Sequence, residues 1–344
     1  MSSAVEIGAA ALSDTGPLAT PEPVLRVEHL TVTYHTDAGT ITAADDVSFD
    51  LPPGTRLGLV GESGSGKTTV ANALMRMIKP PGRIAGGRIV VDGVETLPLQ
   101  DDEMRQVRLR RIALVPQGAM SALNPVMRVR EQILDGLWVH EPQTPRRELE
   151  RRMEEVLVAV DLDPRVATMF PHELSGGMKQ RVCIAIAVVL RPKVIVADEP
   201  TSALDVVVQR QVMETIGRLQ RDLHSSILLI GHDMGLMAQF VDRLAVMYAG
   251  RLVEIGPIKE IFRQPLHPYT QLLISSLPVL GARGVFRGIP GVPPSLLSVP
   301  PGCVFHPRCP QAMPECRQQI PPLVQVAPDR WVACLLHPAS GVQS

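Results

Sequence analysis

Residues 61–69 read GESGSGKTT, between the apolar run RLGLV and the helix-like sequence ANALMRMI. A Gly-x4-Gly-Lys-Thr pattern that joins a strand to a helix is typical of a phosphate-binding loop. Successive backbone N–H groups and the positive end of the helix then point at the anion. The pattern predicts that Lys67 reaches the β- and γ-phosphates of a nucleotide and that the Thr68 hydroxyl binds Mg²⁺. It also predicts an α/β fold.

The composition restricts the class of protein. The 344 residues can form one large domain or two modest ones, and 45% hydrophobic with 20% charged residues is a globular composition. The formal net charge of -1 and the 3% aromatic content argue against nucleic-acid binding, which relies on basic surfaces and stacking aromatics.

No segment of the sequence is apolar enough to span a membrane. The longest apolar run, VCIAIAVVL at residues 182–190, is about half of the roughly 18 residues required. Residues 1–22 lack the basic start of a signal peptide, so we expect a flexible tail there and a chain that stays in the cytoplasm.

The sequence ahead of the phosphate loop alternates polar and apolar residues from about residue 24 to residue 51, which predicts antiparallel strands. Tyr34 lies on the first strand, where it could stack on adenine or be an ordinary strand aromatic. Residues 121–170 are helical in pattern, with an apolar stripe through Leu149, Met153 and Val156, and Glu148 is spaced to pair with Arg152.

Two further stretches predict ligand contacts. In LSGGMKQR, Ser175 is placed to cap a helix with two glycines behind it, which predicts a second anion site. In KVIVADEP, Asp198 and Glu199 end a buried strand, where carboxylates can bind Mg²⁺ and face a reacting phosphate. His232 ends the next strand of the sheet.

The sequence beyond residue 262 is rich in proline and carries four of the five cysteines, which predicts a loop-rich appendage with a stabilising cross-link. In a reducing compartment, clustered cysteines favour a metal site over disulfides. The spacing C-x5-C-x6-C-x17-C has no C-x2-C knuckle and matches no ferredoxin run, so it leaves zinc and iron–sulfur both open.

Taken in order, GESGSGKTT, Gln117, LSGGMKQR, VIVADEP, SALD and His232 resemble the ATP-binding cassette of ABC transporters. The resemblance implies a cassette over residues 23–262, with a RecA-like P-loop core, an antiparallel β subdomain and a helical subdomain at about 119–175. An extension at residues 263–344 follows. It also implies ATP hydrolysis by two cassettes that close head to tail.

The resemblance implies a role for each motif residue. Glu199 is the general base, Gln117 touches Mg²⁺ and the attacking water, His232 contacts the γ-phosphate, and Asp198 supports Mg²⁺. Tyr34 stacks on adenine, while Ser175 and Gly177 bind the γ-phosphate held by the opposing subunit. The phosphates are held by Gly61, Gly64, Ser65, Gly66, Lys67, Thr68 and Thr69.

The sequence HPYTQLLISSLP and the spaced cysteines resemble the C-terminal extension of ATP-binding subunits of dipeptide- and oligopeptide-type importers. This resemblance implies a [4Fe–4S] cluster on Cys303, Cys309, Cys316 and Cys334, with Zn²⁺ as the alternative. It implies a second related ATPase, two membrane permeases and an extracytoplasmic solute-binding protein as partners. The chain would lie peripherally on the cytoplasmic face of the membrane, with its coupling surface near MSALNPVMRV.

Two other classes compete with this interpretation. A soluble ABC ATPase acting on nucleic acid or ribosomes would usually carry two cassettes, and an inactive cassette would lack catalytic residues that are present here. The transported solute stays open among peptides, sugars, opines and nickel. Gly118, Ala119 and Gly231 depart from the family pattern beside the glutamine and the histidine.

Overall fold

The computed structural model describes residues 22–277 and 288–337. The tail expected at residues 1–22 lies outside the described residues except for Glu22, as do residues 278–287 and 338–344 of the expected extension.

Twelve strands lie in the described part of the chain. They are β1 (Leu25–Thr36), β2 (Gly39–Leu51), β3 (Arg56–Val60), β4 (Gly82–Val91), β5 (Val94–Glu95), β6 (Ile112–Val115), β7 (Val194–Asp198), β8 (Ser226–Gly231), β9 (Arg243–Tyr248), β10 (Arg251–Pro257), β11 (Val324–Ala327) and β12 (Arg330–Val332).

Ten α-helices lie in the same part of the chain, and short 3₁₀ turns follow α5 and occur in the extension. The helices are α1 (Lys67–Leu74), α2 (Asp101–Val107), α3 (Ala119–Ala122), α4 (Val129–His140), α5 (Arg146–Ala159), α6 (Gly176–Val188), α7 (Val206–Leu223), α8 (Met234–Phe240), α9 (Ile258–Arg263) and α10 (Pro268–Ser275).

The smaller sheet is antiparallel and has the strand order β2-β1-β4-β5. Along β1, the side chains of Leu25, Val27, Leu30 and Val32 are buried. The alternation of apolar and polar residues therefore places one face of this sheet against the core and leaves the other face wetter.

The larger sheet has the order β11-β12-β10-β9-β3-β8-β7-β6, and its strands from β9 to β6 are parallel. All five residues of β7 are buried, as are the first five of β8, which explains their continuous apolar sequence. Because β3, β6, β7 and β8 are parallel, the segments that follow them meet at one edge of the sheet.

The helical segment between β6 and β7 packs as its sequence predicts. Leu149, Met153 and Val156 of α5 are buried. The predicted pairing of Glu148 with Arg152 is wrong, because Glu148 pairs with Arg151 instead. The side chain of Arg152 forms its ion pair with Glu141, which lies outside α5.

The extension is largely irregular, but it adds two strands to the larger sheet, which the loop-rich pattern did not predict. Strand β12 pairs antiparallel with β10, and β11 pairs with β12. A buried ion pair joins β12 of the extension to β10, with Arg330 Nη2 3.0 Å from Glu254 Oε1. The Glu254 carboxylate also accepts the backbone N–H groups of Leu266 and His267 at 2.9 Å.

Candidate active site

The phosphate loop connects β3 to α1, and its backbone passes close to the backbone of β2 and β9. A Cβ atom on Gly61 would come within 2.1 Å of the Met247 carbonyl oxygen. One on Gly66 would come within 2.0 Å of the Ala43 carbonyl oxygen, and Gly66 has a φ of 102°. Only glycine fits these two positions, so β2 and β9 determine the shape of the loop.

Lys67 is the first residue of α1 and is buried. Its Nζ donates to the carbonyl oxygens of Gly61 and Glu62, both at 2.9 Å, and to Ser65 Oγ at 3.3 Å. Burial lowers the pKa of Lys67, an effect that the negative charges of Glu199, Asp198 and Glu62 oppose. The ammonium group is therefore held inside the loop, where a phosphate would meet it.

Thr68 and Asp198 form the part of the site that fits a magnesium ion. Thr68 Oγ1 lies 3.4 Å from Asp198 Oδ1, at the tip of β7. Burial raises the pKa of Asp198, and the neighbouring Glu199 adds to this effect, whereas Thr68 and Lys67 oppose it. A hydroxyl and a carboxylate are the oxygen ligands that Mg²⁺ prefers, so these residues fit the ion that the loop pattern predicts.

Glu199 lies between Gln117 and His232. Gln117 Nε2 donates to Glu199 Oε2 at 2.8 Å, and His232 Nδ1 lies 3.4 Å from Glu199 Oε1. The backbone of Glu199 has a φ of 44°, and its N–H donates to the Ile230 carbonyl at 2.9 Å. A positive φ is uncommon for glutamate and is held here by β8, which directs the carboxylate to the edge of the sheet.

Tyr34 lies on β1, paired with Ile41 on one side and Gly82 on the other. Its ring covers Gly82, where an added Cβ would come within 2.5 Å of Cε1. Ile41 lines a cavity of about 300 Å³ with residues 62–65 of the phosphate loop and residues 293–297 of the extension. Cross-strand partners share a face, so Tyr34 lies on the face of β1 that borders the loop.

Ser175 and Gly177 lie at the start of α6, on different elements from the phosphate loop. Ser175 caps the helix, its Oγ accepting the N–H of Met178 at 3.3 Å. A Cβ on Gly177 would come within 2.7 Å of Val208 Cγ1 on α7. Within the part of the chain that the structure describes, no hydrogen bond joins either residue to the loop.

Two positions that depart from the family pattern lie beside this site. Gly118, which follows Gln117, has a φ of 74° and precedes α3. Gly231 ends β8, and a Cβ there would come within 3.0 Å of Met237 Cε.

The four cysteines of the extension are free thiols. Burial raises the pKa of Cys303 and Cys309, and it raises that of Cys334 to about 11, where the other three thiols contribute. Across residues 22–277 and 288–337, no three or more His, Cys, Asp or Glu side chains are grouped so that they could hold a metal ion. The predicted metal site therefore lacks geometric support and stays a prediction.

Sequence reasoning missed the residues that hold Glu62, the second residue of the loop. Arg308 of the extension pairs with its carboxylate, and Tyr269 Oη accepts its backbone N–H at 2.9 Å. Arg308 immediately precedes Cys309, and Tyr269 belongs to the HPYT sequence. These neighbouring motifs were the only available signal, since nothing in the spacing connects them with the loop.

Two family models match the chain. The model described as "ABC transporter" matches residues 44–202, and the model described as "Oligopeptide/dipeptide transporter, C-terminal region" matches residues 253–316.

Curated relatives extend over most of the chain. "Oligopeptide transport ATP-binding protein OppD" of Bacillus subtilis (strain 168) is 42% identical over 320 residues, or 92% of this chain and 89% of that protein. "Dipeptide transport ATP-binding protein DppD" of Caldanaerobacter subterraneus subsp. tengcongensis is 42% identical, over 80% of this chain and 85% of that protein.

Among solved structures, the ATP-binding cassette MJ0796 in a dimeric post-hydrolysis state with ADP and Pi is similar, with a TM-score of 0.61 and 28% identity. The match covers 68% of this chain and 98% of that one.

Proposed function

The chain belongs to the ATP-binding proteins of ABC transporters that carry the oligopeptide/dipeptide C-terminal region, and from this we propose that it hydrolyses ATP to power the import of peptides. The single observation that carries the proposal is the meeting of the phosphate loop, Asp198, Glu199, Gln117 and His232 at one edge of the sheet. Sugars, opines and nickel are the alternative solutes within the same family. A soluble ATPase acting elsewhere is the less favoured reading.

We propose that the loop holds the nucleotide through its backbone N–H groups and Lys67. Thr68 and Asp198 would hold Mg²⁺, and Mg²⁺ would neutralise charge on the β- and γ-phosphates. Tyr34 would stack on adenine from the neighbouring face of β1. The remaining loop residues proposed to contact the phosphates are Gly61, Gly64, Ser65, Gly66 and Thr69.

Glu199 is the proposed general base. Its carboxylate would take a proton from a water molecule that attacks the γ-phosphate, and phosphoryl transfer depends on such positioning together with electrostatic stabilisation. The short contact from Gln117 would orient the carboxylate and the water. His232, which is largely exposed, would turn from Glu199 to contact the γ-phosphate.

The other half of each site would come from a second cassette. Ser175 caps α6 and Gly177 lies in its first turn, on an element other than the phosphate loop, and the helix N-terminus there can present backbone N–H groups to an anion. Two cassettes closed head to tail would cover both γ-phosphates, so that ATP binding closes the pair and hydrolysis opens it.

We propose that this second cassette is a related ATPase and that the pair works with two permeases and an extracytoplasmic solute-binding protein. In the described part of the chain, no helix has both the length and the apolar character needed to cross a membrane. Attachment to permeases on the cytoplasmic face would bring the chain to the membrane. Residues 120–129, with Val126 79% exposed, are the proposed coupling surface.

For the four cysteines we propose a [4Fe–4S] cluster, with Zn²⁺ as the alternative. The four thiols are free. The Cys303 N–H donates to the Cys316 carbonyl at 2.8 Å, where Gly302 leaves room for a close backbone approach. A cluster spreads its ligands over several iron atoms, so it needs no convergence of thiols on one point, whereas a single zinc ion does.

Reconstitution tests the function. The chain, its second cassette and two permeases in proteoliposomes should hydrolyse ATP faster when a peptide-loaded binding protein is added. A labelled peptide should accumulate in the same vesicles. Stimulation by a sugar or nickel instead of peptide would replace the proposed solute, and ATP hydrolysis that ignores every permease would favour the soluble ATPase.

A further inference from the structure

Arg308 of the extension reaches the phosphate loop and forms a bidentate ion pair with Glu62. Its Nη1 lies 2.7 Å from Glu62 Oε2, and its Nη2 lies 3.0 Å from Glu62 Oε1. The Arg308 side chain is only 5% exposed, and that of Glu62 is 24% exposed. Paired N–H···O bonds of this kind fix direction as well as charge, so the contact is specific.

The remaining donors of Arg308 are bound within the protein. Nε donates to the Pro290 carbonyl at 2.8 Å, Nη1 to Tyr248 Oη at 3.1 Å, and Nη2 to the Ile289 carbonyl at 3.3 Å. A guanidinium has five N–H donors, and here all five have an acceptor. The extension and β9 therefore orient Arg308, and Arg308 orients the carboxylate of the loop.

A second contact fixes the backbone of the same loop residue. Tyr269 Oη accepts the Glu62 N–H at 2.9 Å. The Tyr269 ring is fully buried, and its centroid lies 4.6 Å from that of Tyr248 and 5.3 Å from that of Phe305. Side chain and backbone of Glu62 are thus both held by residues beyond residue 262.

Glu62 also contacts the lysine that faces the phosphates. Its carbonyl oxygen accepts Lys67 Nζ at 2.9 Å, and its negative charge acts on the Lys67 ammonium. Without Arg308, the Glu62 carboxylate would be an uncompensated negative charge in a loop that receives an anion. Like charges at such short range oppose binding.

We propose that Arg308 is a positioning residue for ATP: it neutralises and holds Glu62, and the extension thereby sets the affinity of the phosphate loop for the nucleotide. This inference rests on the proposed ATPase function and extends it to a residue outside the cassette motifs. By linkage, ATP binding and the docking of Arg308 on Glu62 stabilise each other.

The test compares Arg308→Gln, Glu62→Gln and the double variant in the full-length chain. The affinity for Mg·ATP is measured by titration calorimetry, and KM and kcat are measured in the assembled importer. Arg308→Gln should weaken ATP binding and raise the KM for ATP about tenfold, because the uncompensated Glu62 carboxylate then repels the phosphates, and kcat should stay nearly unchanged. Glu62→Gln alone should have a smaller effect, because it removes the charge that needs compensation.

The double variant decides between charge compensation and general support of the fold. Adding Glu62→Gln to Arg308→Gln should restore the affinity to that of Glu62→Gln alone. Arg317→Gln is the matched control, because Arg317 is an exposed arginine that follows Cys316 as Arg308 precedes Cys309. If Arg308→Gln does not fold, Arg308→Lys separates charge from geometry: it keeps the charge without the paired hydrogen bonds, so it should retain most of the affinity, and a loss of about tenfold would contradict charge compensation.

An affinity of Arg308→Gln equal to that of the control, or a double variant as weak as Arg308→Gln, would overturn the inference. Either result leaves the proposed function intact as long as the unaltered chain binds Mg·ATP. Failure of the unaltered chain to bind it would instead reject the proposed function.

Discussion

Gln117 Nε2 donates to Glu199 Oε2 over 2.8 Å, across 82 residues of sequence and between the ends of two neighbouring strands. The contact joins the end of β6 to the end of β7 on the parallel sheet. It holds the proposed base in one orientation, and the positive φ of Glu199 turns the same carboxylate toward the edge where the phosphate loop ends.

The proposed base predicts the effect of Glu199→Gln. The amide keeps the shape of the side chain but cannot accept a proton, so hydrolysis should fall at least about 100-fold. ATP binding should persist, because Lys67 and Thr68 are unchanged, and the closed pair of cassettes should accumulate. Phosphate release and chromatographic size with ATP measure the two effects, and hydrolysis at the normal rate would remove Glu199 from the role.

Substitutions of Ser175 can test its role as the N-cap of α6 separately from its proposed contact with the γ-phosphate of the opposing cassette. Ser175→Asp keeps a good N-cap but places a negative charge at the anion site, so hydrolysis should fall about 100-fold while ATP binding to the same chain is retained. Ser175→Asn is the matched control, since it caps the helix without charge. Equal hydrolysis by the two variants would argue against a γ-phosphate at this position.

The buried pair of Glu254 and Arg330 predicts how firmly the extension is attached. Glu254 is 0% exposed, so Arg330→Met would leave a buried carboxylate without its counter-ion, at a cost of about 3–5 kcal/mol in unfolding free energy. Urea denaturation measures this loss. Arg317→Met should cost little, and adding Glu254→Gln to Arg330→Met should recover part of the loss; a normal midpoint for Arg330→Met would show that the pair contributes nothing.

His267 predicts a dependence of stability on pH. Burial lowers the pKa of His267 to about 3, and its Nδ1 accepts the N–H of Tyr269 at the start of α10. In the unfolded chain the pKa is about 6.5, so below that pH the unfolded state binds the extra proton and stability is lost as the pH falls.

The loss from His267 should approach about 1.4 kcal/mol for each pH unit below about 6.5. His267→Asn keeps an acceptor for the helix cap and removes the titration. The free energy of unfolding, measured by denaturation at pH 7.5 and at pH 5.5, should therefore fall more for the unaltered chain than for this variant. An equal fall in both would exclude His267 as the source of the pH dependence.

The proposed cluster predicts that Cys309→Ser removes bound iron and the visible absorbance of the anaerobically purified chain. Cys183→Ser is the control, because Cys183 is buried in α6, where burial raises its pKa to about 12, and it lies outside the extension. Zinc without iron in the unaltered chain would replace the cluster by its alternative.

The cassette fold predicted from the order of motifs is confirmed by the family match and by the similarity to MJ0796. The sequence can predict this fold because its signals are local: glycines occur where backbone segments pass close to each other, and each buried apolar strand is followed directly by polar residues. Gly61, Asp198 and Glu199 each have a physical reason to stand beside a buried strand. Their assigned roles in catalysis stay predictions.

What the sequence could not show depends on contacts between distant segments. Arg308 and Glu62 are 246 residues apart, and no periodicity relates them. The mistaken pairing of Glu148 with Arg152 has the same cause: helical spacing makes the pair possible, but Arg152 lies next to Glu141 of another segment and binds there.

The pairing of β12 with β10 bears on any shortened form of this chain. A chain that ended at residue 262 would leave β10 with unpaired backbone groups along an apolar sequence that includes Leu252, Val253 and Ile255. Open edges of that kind recruit strands from other molecules. We therefore expect the extension to limit self-association of the cassette, and a chain shortened at residue 262 should elute as aggregates in size-exclusion chromatography; a monodisperse shortened chain would contradict this.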